Sequence, residues 1–149
     1  MTEPKRIWWA RPRKLCALER PGGGGRSHRP ERRAEEIEYL VDSGVRSVVS
    51  LMATRHNLAA YEEAGLEAIH HPVDPADDDS VTEAILLLRR VTRKPGAVAI
   101  HDNRYTDVVA GLCAAHLYDV RRVDPLVALE AAAAAGLTVT EESHRIAYL

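Results

Sequence analysis

Short apolar runs alternate with amphipathic stretches along this chain, and the punctuation between them is supplied by glycine and proline. Val45 to Leu51 (VRSVVSL) and Ala97 to His101 (AVAIH) are brief, tightly bounded runs that follow Gly44 and Pro95-Gly96. Runs of this kind predict buried parallel strands. Leu66 to His71 (LEAIHH) lies between them, follows Gly65 and stops at Pro72, which predicts a third strand. Ile7 to Leu18, interrupted by Pro12, predicts one or two edge strands, and Pro21 to Arg29, with four consecutive glycines, predicts a flexible loop.

Helical spacing fills the intervals. Ala34, Ile37, Leu40 and Val41 recur on one face before Gly44, and a shorter helix from Leu58 to Ala64 ends at Gly65. Ser80 to Thr92 predicts a helix with Ser80 as its cap, Glu83 closing a capping box, and Val81, Ala84, Ile85, Leu88 and Val91 as its apolar stripe. Val108 to Tyr118 is small and apolar enough for an inner helix. Asp124-Pro125 opens another that runs through five alanines to Gly136, and a short helix from Glu141 to Tyr148 closes the chain. Strands alternating with helices predict an α/β fold, a mostly parallel central sheet with helices on both faces. Ligands of such sheets sit beyond the carboxyl ends of the strands, which directs attention to Asp102 to Asp107.

Composition narrows the picture. A chain of 149 residues with 46% hydrophobic content suits one domain, residues 1–149, around one core. It has no run of about 18 apolar residues, and its N-terminus lacks the basic-then-apolar layout of a signal peptide, so a cytoplasmic location with no membrane partner is expected. Cys16 and Cys113 are too few for a disulfide scaffold and lack zinc-site spacing, so both are expected as free thiols. The net charge of -2 conceals an asymmetry: residues 1–33 hold ten Lys and Arg against three Asp and Glu (+7), and the rest hold ten against nineteen (-9). The basic segment either folds back on the acidic body or attracts an acidic partner. Nucleic acid is disfavoured, because the aromatic interleaving of a single-strand binder is missing.

Five separated segments carry a resemblance: Gly44 to Leu51, Ala64-Gly65-Leu66, His71-Pro72-Val73-Asp74, Val98 to His101, and Ala114-Ala115-His116-Leu117. In order and spacing they resemble the cysteine-based dual-specificity phosphatases of the tyrosine phosphatase superfamily, from about Trp9 to Leu149. The resemblance implies a catalytic loop reading His-Cys-x-x-Gly-x-x-Arg followed by Thr or Ser. There a thiolate attacks phosphorus, backbone N–H groups cradle the oxyanions and the Arg grips two of them. With His101 on the family's His, Asp102 stands at the cysteine position, Tyr105 at the glycine, Val108 at the arginine and Val109 at the hydroxyl. Asp74 falls where the family carries its general acid. An Asp102 carboxylate about 4 Å from a phosphate charge repels it by roughly 4 kcal/mol at an effective dielectric of 20.

No other residue takes over readily. Cys113 lies inside a predicted apolar helix, where cysteine is a small core residue. Arg104 either approaches an anion or neutralises Asp102 or Asp107, and His101 is expected to hydrogen-bond beneath the loop. Asp77-Asp78-Asp79 suits a helix N-terminus better than a metal, and His70 and His71 point to opposite faces of a strand. The leading expectation is a pseudophosphatase, a binding or regulatory module for an unidentified protein partner, with phosphate or another oxyanion as a residual ligand and no cofactor. The alternatives are an Asp-based, metal-dependent phosphoester hydrolase using Asp102, Asp107 and Asp74, and a structural subunit that docks through Trp8 and Trp9, one buried and one exposed.

Overall fold

The computed structural model describes residues 3–149. Five strands form one sheet: β1 Ile7–Arg11, β2 Leu15–Leu18, β3 Val45–Ser50, β4 Glu67–His70 and β5 Ala97–His101. Their spatial order is β1-β2-β5-β3-β4, with β1 antiparallel to β2 and every other pairing parallel. The helices are α1 Pro30–Asp42, α2 Leu58–Glu63, α3 Asp78–Val91, α4 Asp107–Arg121, α5 Pro125–Ala134 and α6 Glu141–Ala147, with a short 3-10 turn at Gly25–Ser27. No helix among the described residues is long and apolar enough to cross a membrane.

Alternation along the strands splits the core into two layers. Leu15, Ala17, Val49, Val98 and Ile100 face α3, α4, α5 and α6, whereas Cys16, Leu18, Val48, Ala97 and Ala99 face α1 and α2 through Ile37, Leu40, Leu58 and Tyr61. The all-buried strands β2 and β5 follow from this, since both of their faces are covered. Here the structure corrects the sequence reading of Ile7 to Leu18. Pro12 separates two strands of which β1 alone is an edge; β2 lies inside the sheet, hydrogen-bonded to β5 as well. Trp8 joins the helix-rich core, but Trp9 is half-buried against the other core rather than exposed, because both faces of β1 are partly covered.

Gly111 sets the closest helix pairing. A Cβ there would lie 2.8 Å from the Ser143 carbonyl oxygen and 2.9 Å from the Ile146 side chain, so α6 packs directly on α4 backbone. Thr140 caps α6 in a reciprocal pair with Ser143, whose hydroxyl also donates to the Asp107 carbonyl at 2.7 Å. The start of α3 differs from the Ser80 cap and its Glu83 capping box. Asp77 is the cap, its Oδ1 accepting from the Asp79 N–H at 3.1 Å, and Ser80 lies in the first turn with its hydroxyl accepting from the Asp74 N–H at 3.0 Å. A carboxylate satisfies the positive helix end better than a hydroxyl, so the helix begins at the first residue the aspartate can serve.

Leu18 and Ser50 both pair with His101, and Ser50 also pairs with His70. Four strands therefore end level, and the loops that follow them meet at one edge of the sheet. Leu88, fully buried between α3 and the sheet, should lose about 2–5 kcal/mol of stability as Leu88→Ala in urea titrations, while Leu86→Ala, half-exposed on the same helix, should change it by under about 1 kcal/mol.

Candidate functional site

The loop Asp102–Thr106 leaves β5 at His101 and enters α4, at the edge where four strand ends gather. His101 is wholly buried. Its Nδ1 lies 2.9 Å from the Asp102 carbonyl oxygen, which can only accept, so this nitrogen carries the proton and Nε2 accepts from the Tyr61 hydroxyl at 2.7 Å. The Tyr61 oxygen accepts in turn from Asn57 Nδ2 at 3.2 Å, which also donates to the Pro21 carbonyl at 3.0 Å. Asn57 Oδ1 accepts from Arg20 at 3.1 Å and from Arg33 at 3.4 Å. A one-directional chain thus runs from two guanidiniums to the backbone of the loop. Burial holds His101 neutral by pushing its pKa down to about 4, with the nearby Arg20 charge acting in the same direction, and burial raises the Tyr61 hydroxyl.

The loop carboxylates turn inward on the backbone. Asp102 is half-buried, and its Oδ1 accepts from the Asn103 N–H at 2.8 Å. Burial raises its pKa, the Asn103 N–H opposes that rise, and Asp107 adds to it. Asp107, the first residue of α4, accepts from the Val108 N–H at 3.0 Å and from the Thr140 hydroxyl at 3.2 Å. Val108 and Val109 are buried in the helix-rich core. Tyr105 is 63% exposed and projects from the loop, with the Arg104 guanidinium carbon 5.6 Å from its ring centre. Among the described residues Arg104 has no ion pair with Asp102 or Asp107, contrary to the neutralising role expected for it. Its side chain runs instead past Gly25 toward Tyr105.

A cleft of about 360 Å3 opens over the loop, lined by Asp102, Asn103, Arg104, Tyr105, Asp107 and Val108 with Pro75 and Glu142 opposite. Asp74 is exposed and does not line it; its carboxylate accepts from the Ala76 N–H at 3.0 Å in a local turn. Asp78 is held by Arg145 at 2.6 Å, and Arg145 also donates to the Pro75 carbonyl and to Glu142. The acidic run at 77–79 is thus engaged in capping and in tying α6 to α3. Among the described residues no three His, Cys, Asp or Glu side chains converge as metal ligands would. His70 Nε2 lies 2.8 Å from the Met52 carbonyl, a structural bond. Cys113 and Cys16 are fully buried free thiols, raised by burial and so unreactive.

The glycine run corrects another expectation. Residues 21–29 are tied down rather than left flexible: the Gly22 N–H donates to the buried Glu36 at 2.8 Å and the Gly25 N–H to Asn103 Oδ1 at 3.1 Å. A Cβ on Gly24 would stand 2.3 Å from the Asn103 carbonyl oxygen, so the strip lies backbone to backbone against the loop. Close approach, not freedom, explains glycine there. Arg20, Asn57, Tyr61 and Asn103 were missed in the sequence; the spacing of Asn57 and Tyr61, one helical turn apart, was the available signal.

No family model and no curated protein matches the sequence. Solved structures do match it. P. aeruginosa TpbA, in a complex with pTyr, aligns with a TM-score of 0.71 at 20% identity over 99% of this chain and 84% of that one. Human DUSP28 aligns at 0.70 with 17% identity over 99% and 95%. Tk-PTP in its active form aligns at 0.69 with 18% identity over 95% and 92%. The chain has the dual-specificity and tyrosine phosphatase fold.

Two predictions come from the loop. His101 stays neutral in the folded state down to about pH 4, whereas an unfolded histidine takes its proton near 6.5. The unfolded chain therefore binds more protons between those values, and stability should fall as pH drops from about 6.5 to about 4, by up to about 1.4 kcal/mol per pH unit from this group. His116, held down to about 4 mainly by burial, acts in the same direction. Urea titrations across this range should show a shallower slope for His101→Gln than for the unaltered chain. Asp102→Asn keeps the acceptor for Asn103 and removes a half-buried charge, so its melting temperature should hold or rise, whereas Asp102→Ala should lose about 1–3 kcal/mol.

Proposed function

We propose that this chain is a pseudophosphatase: a phosphatase-fold module that binds and regulates without turning over phosphoesters. The observation that carries the reading is the occupation of two of the loop's N–H donors by the loop's own carboxylates. A phosphate-binding loop offers its backbone N–H groups and helix N-terminus to the oxyanions. Here the N–H groups of Asn103 and Val108 already donate to the carboxylates of Asp102 and Asp107. Two internal anions stand where an external one would bind.

The remaining positions support the same reading. In the register of the resemblance Asp102 replaces the nucleophilic thiolate, and Val108, buried in the core, leaves no guanidinium to grip two oxygens. Tyr105 replaces the glycine whose missing side chain would let the backbone wrap a phosphate. Asp74, at the general-acid position, has its carboxylate engaged by the Ala76 N–H and stays outside the cleft. TpbA, of the same fold, is solved with pTyr; a phosphotyrosyl group entering this cleft would meet Asp102 and Asp107 first. His101 serves as the loop's buried support, and the cleft walls are left for recognition. A cytoplasmic location belongs to the proposal, in keeping with two buried free thiols.

Hydrolysis of an aryl phosphate from pH 5 to 8 should not exceed a buffer blank, with or without reductant, magnesium or manganese. Asp102→Cys alone should not restore it, since Tyr105 and Val108 remain. The combined change Asp102→Cys, Tyr105→Gly, Val108→Arg and Val109→Thr rebuilds each role and should bind vanadate. Cysteine-type turnover by the unaltered chain would overturn the proposal. Turnover lost on adding chelator and in Asp102→Ala would establish the metal-dependent hydrolase instead.

A further inference from the structure

Six cations gather on one side of the loop. Lys5, Arg26, Arg29 and Arg32 line a cavity of about 560 Å3, and Lys5, Arg6, Arg32 and Arg104 line a second of about 500 Å3. The two cavities share Lys5, Ser27 and Arg32, and so form one groove that ends at Arg104 and Tyr105. Glu19 is the one carboxylate on these walls, 3.7 Å from Arg32 and 3.9 Å from Arg6. Arg32 is further oriented by the buried Glu36 at 3.2 Å. Lys5, Arg26, Arg29 and Arg104 have no ion pair among the described residues.

Of the groove cations from the basic segment, Arg32 alone among the described residues forms an ion pair with the acidic body, through Glu36. The segment lines a concave surface, and the glycine strip that shapes one wall is fixed to the loop through Gly25 and Asn103. We infer that this groove is the partner-binding surface of the module, and that its occupant is an extended acidic peptide segment of a partner protein. The inference rests on the reading of the chain as a binding module and names its partner class.

The shape and lining of the groove select that occupant. Charges spread along two joined cavities match carboxylates repeated along an extended chain, whose alternate side chains lie about 7 Å apart. A single-stranded nucleic acid needs successive aromatic platforms, and Tyr105 is the only Phe, Trp or Tyr among these lining residues. A membrane surface needs a flat basic face bordered by apolar side chains. The exposed Leu86, Leu126, Val127, Tyr148 and Leu149 belong to α3, α5 and the C-terminus, and none lines the groove.

The test uses the full chain and a fluorescein-labelled peptide of alternating Glu and Ser, read by anisotropy. Binding should be measurable at low salt and weaken steeply as salt is added. The pair Arg26→Glu and Arg29→Glu, both exposed, should weaken it by at least about tenfold, while Arg90→Glu with Arg93→Glu, exposed near the end of α3, should leave it unchanged. Should the charge-reversed pair fail to fold, Arg26→Gln with Arg29→Gln provides the same comparison. Equal binding by the groove variant, no peptide binding, or tighter binding to oligouridine or to phosphatidylserine vesicles would each overturn the inference. Aryl phosphate turnover on the same preparation separates the two proposals, because turnover addresses the loop and anisotropy the groove.

Discussion

The short hydrogen bond between the Tyr61 hydroxyl and His101 Nε2 fixes the register of the loop on which the site is built. Both groups are buried, so leaving either unpaired would cost about 1–3 kcal/mol, and the bond is correspondingly unambiguous in direction. It sets the histidine tautomer, which sets the proton on Nδ1, which holds the Asp102 carbonyl. Asn57 extends the constraint to Pro21 and to Arg20 and Arg33. Three loops from three different strand ends are thereby locked to one imidazole, which the low pKa keeps neutral through the physiological range.

That scaffold positions the loop whether or not the loop performs chemistry. What differs here is where the loop's donors go. In a phosphate-binding loop the anion arrives from solution and the N–H groups wait for it. In this chain Asp102 and Asp107 supply anions covalently, each taking up one N–H group, those of Asn103 and Val108. Burial and the neighbouring Asp107 raise the proton affinity of Asp102, the Asn103 N–H opposes that rise, and the Thr140 hydroxyl reaches Asp107 from the cap of α6. Docking of α6 on α4 at Gly111 brings that cap within reach.

The fold was legible because its signals are local. Glycines after helices, prolines after strands and brief apolar runs marked β3, β4 and β5 to within a residue or so, and Asp124-Pro125 marked the start of α5. Where the reading went astray, the deciding partner was distant in sequence. Pro12 and short length pointed to edge strands, but β2 is interior because β5 pairs with it from more than eighty residues away. Ser80 had the pattern of a cap, yet Asp77 was a stronger competitor three residues earlier. The glycine run read as freedom because nothing nearby in sequence could show that Asn103 would lie against it. The same blindness hid the Asn57 chain, whose members come from four elements and loops.

One strip of backbone joins the two surfaces of the molecule. Gly24 lies against Asn103, Gly25 donates to its side chain, and Asn103 is the residue whose own N–H holds the Asp102 carboxylate. On the far side of the strip begin Arg26, Ser27 and the groove. The acidic loop and the basic groove are therefore adjacent while opposite in charge, separated by residues with no side chain. A side chain at Gly24 would force them apart, which gives the glycine a role that neither surface alone would require.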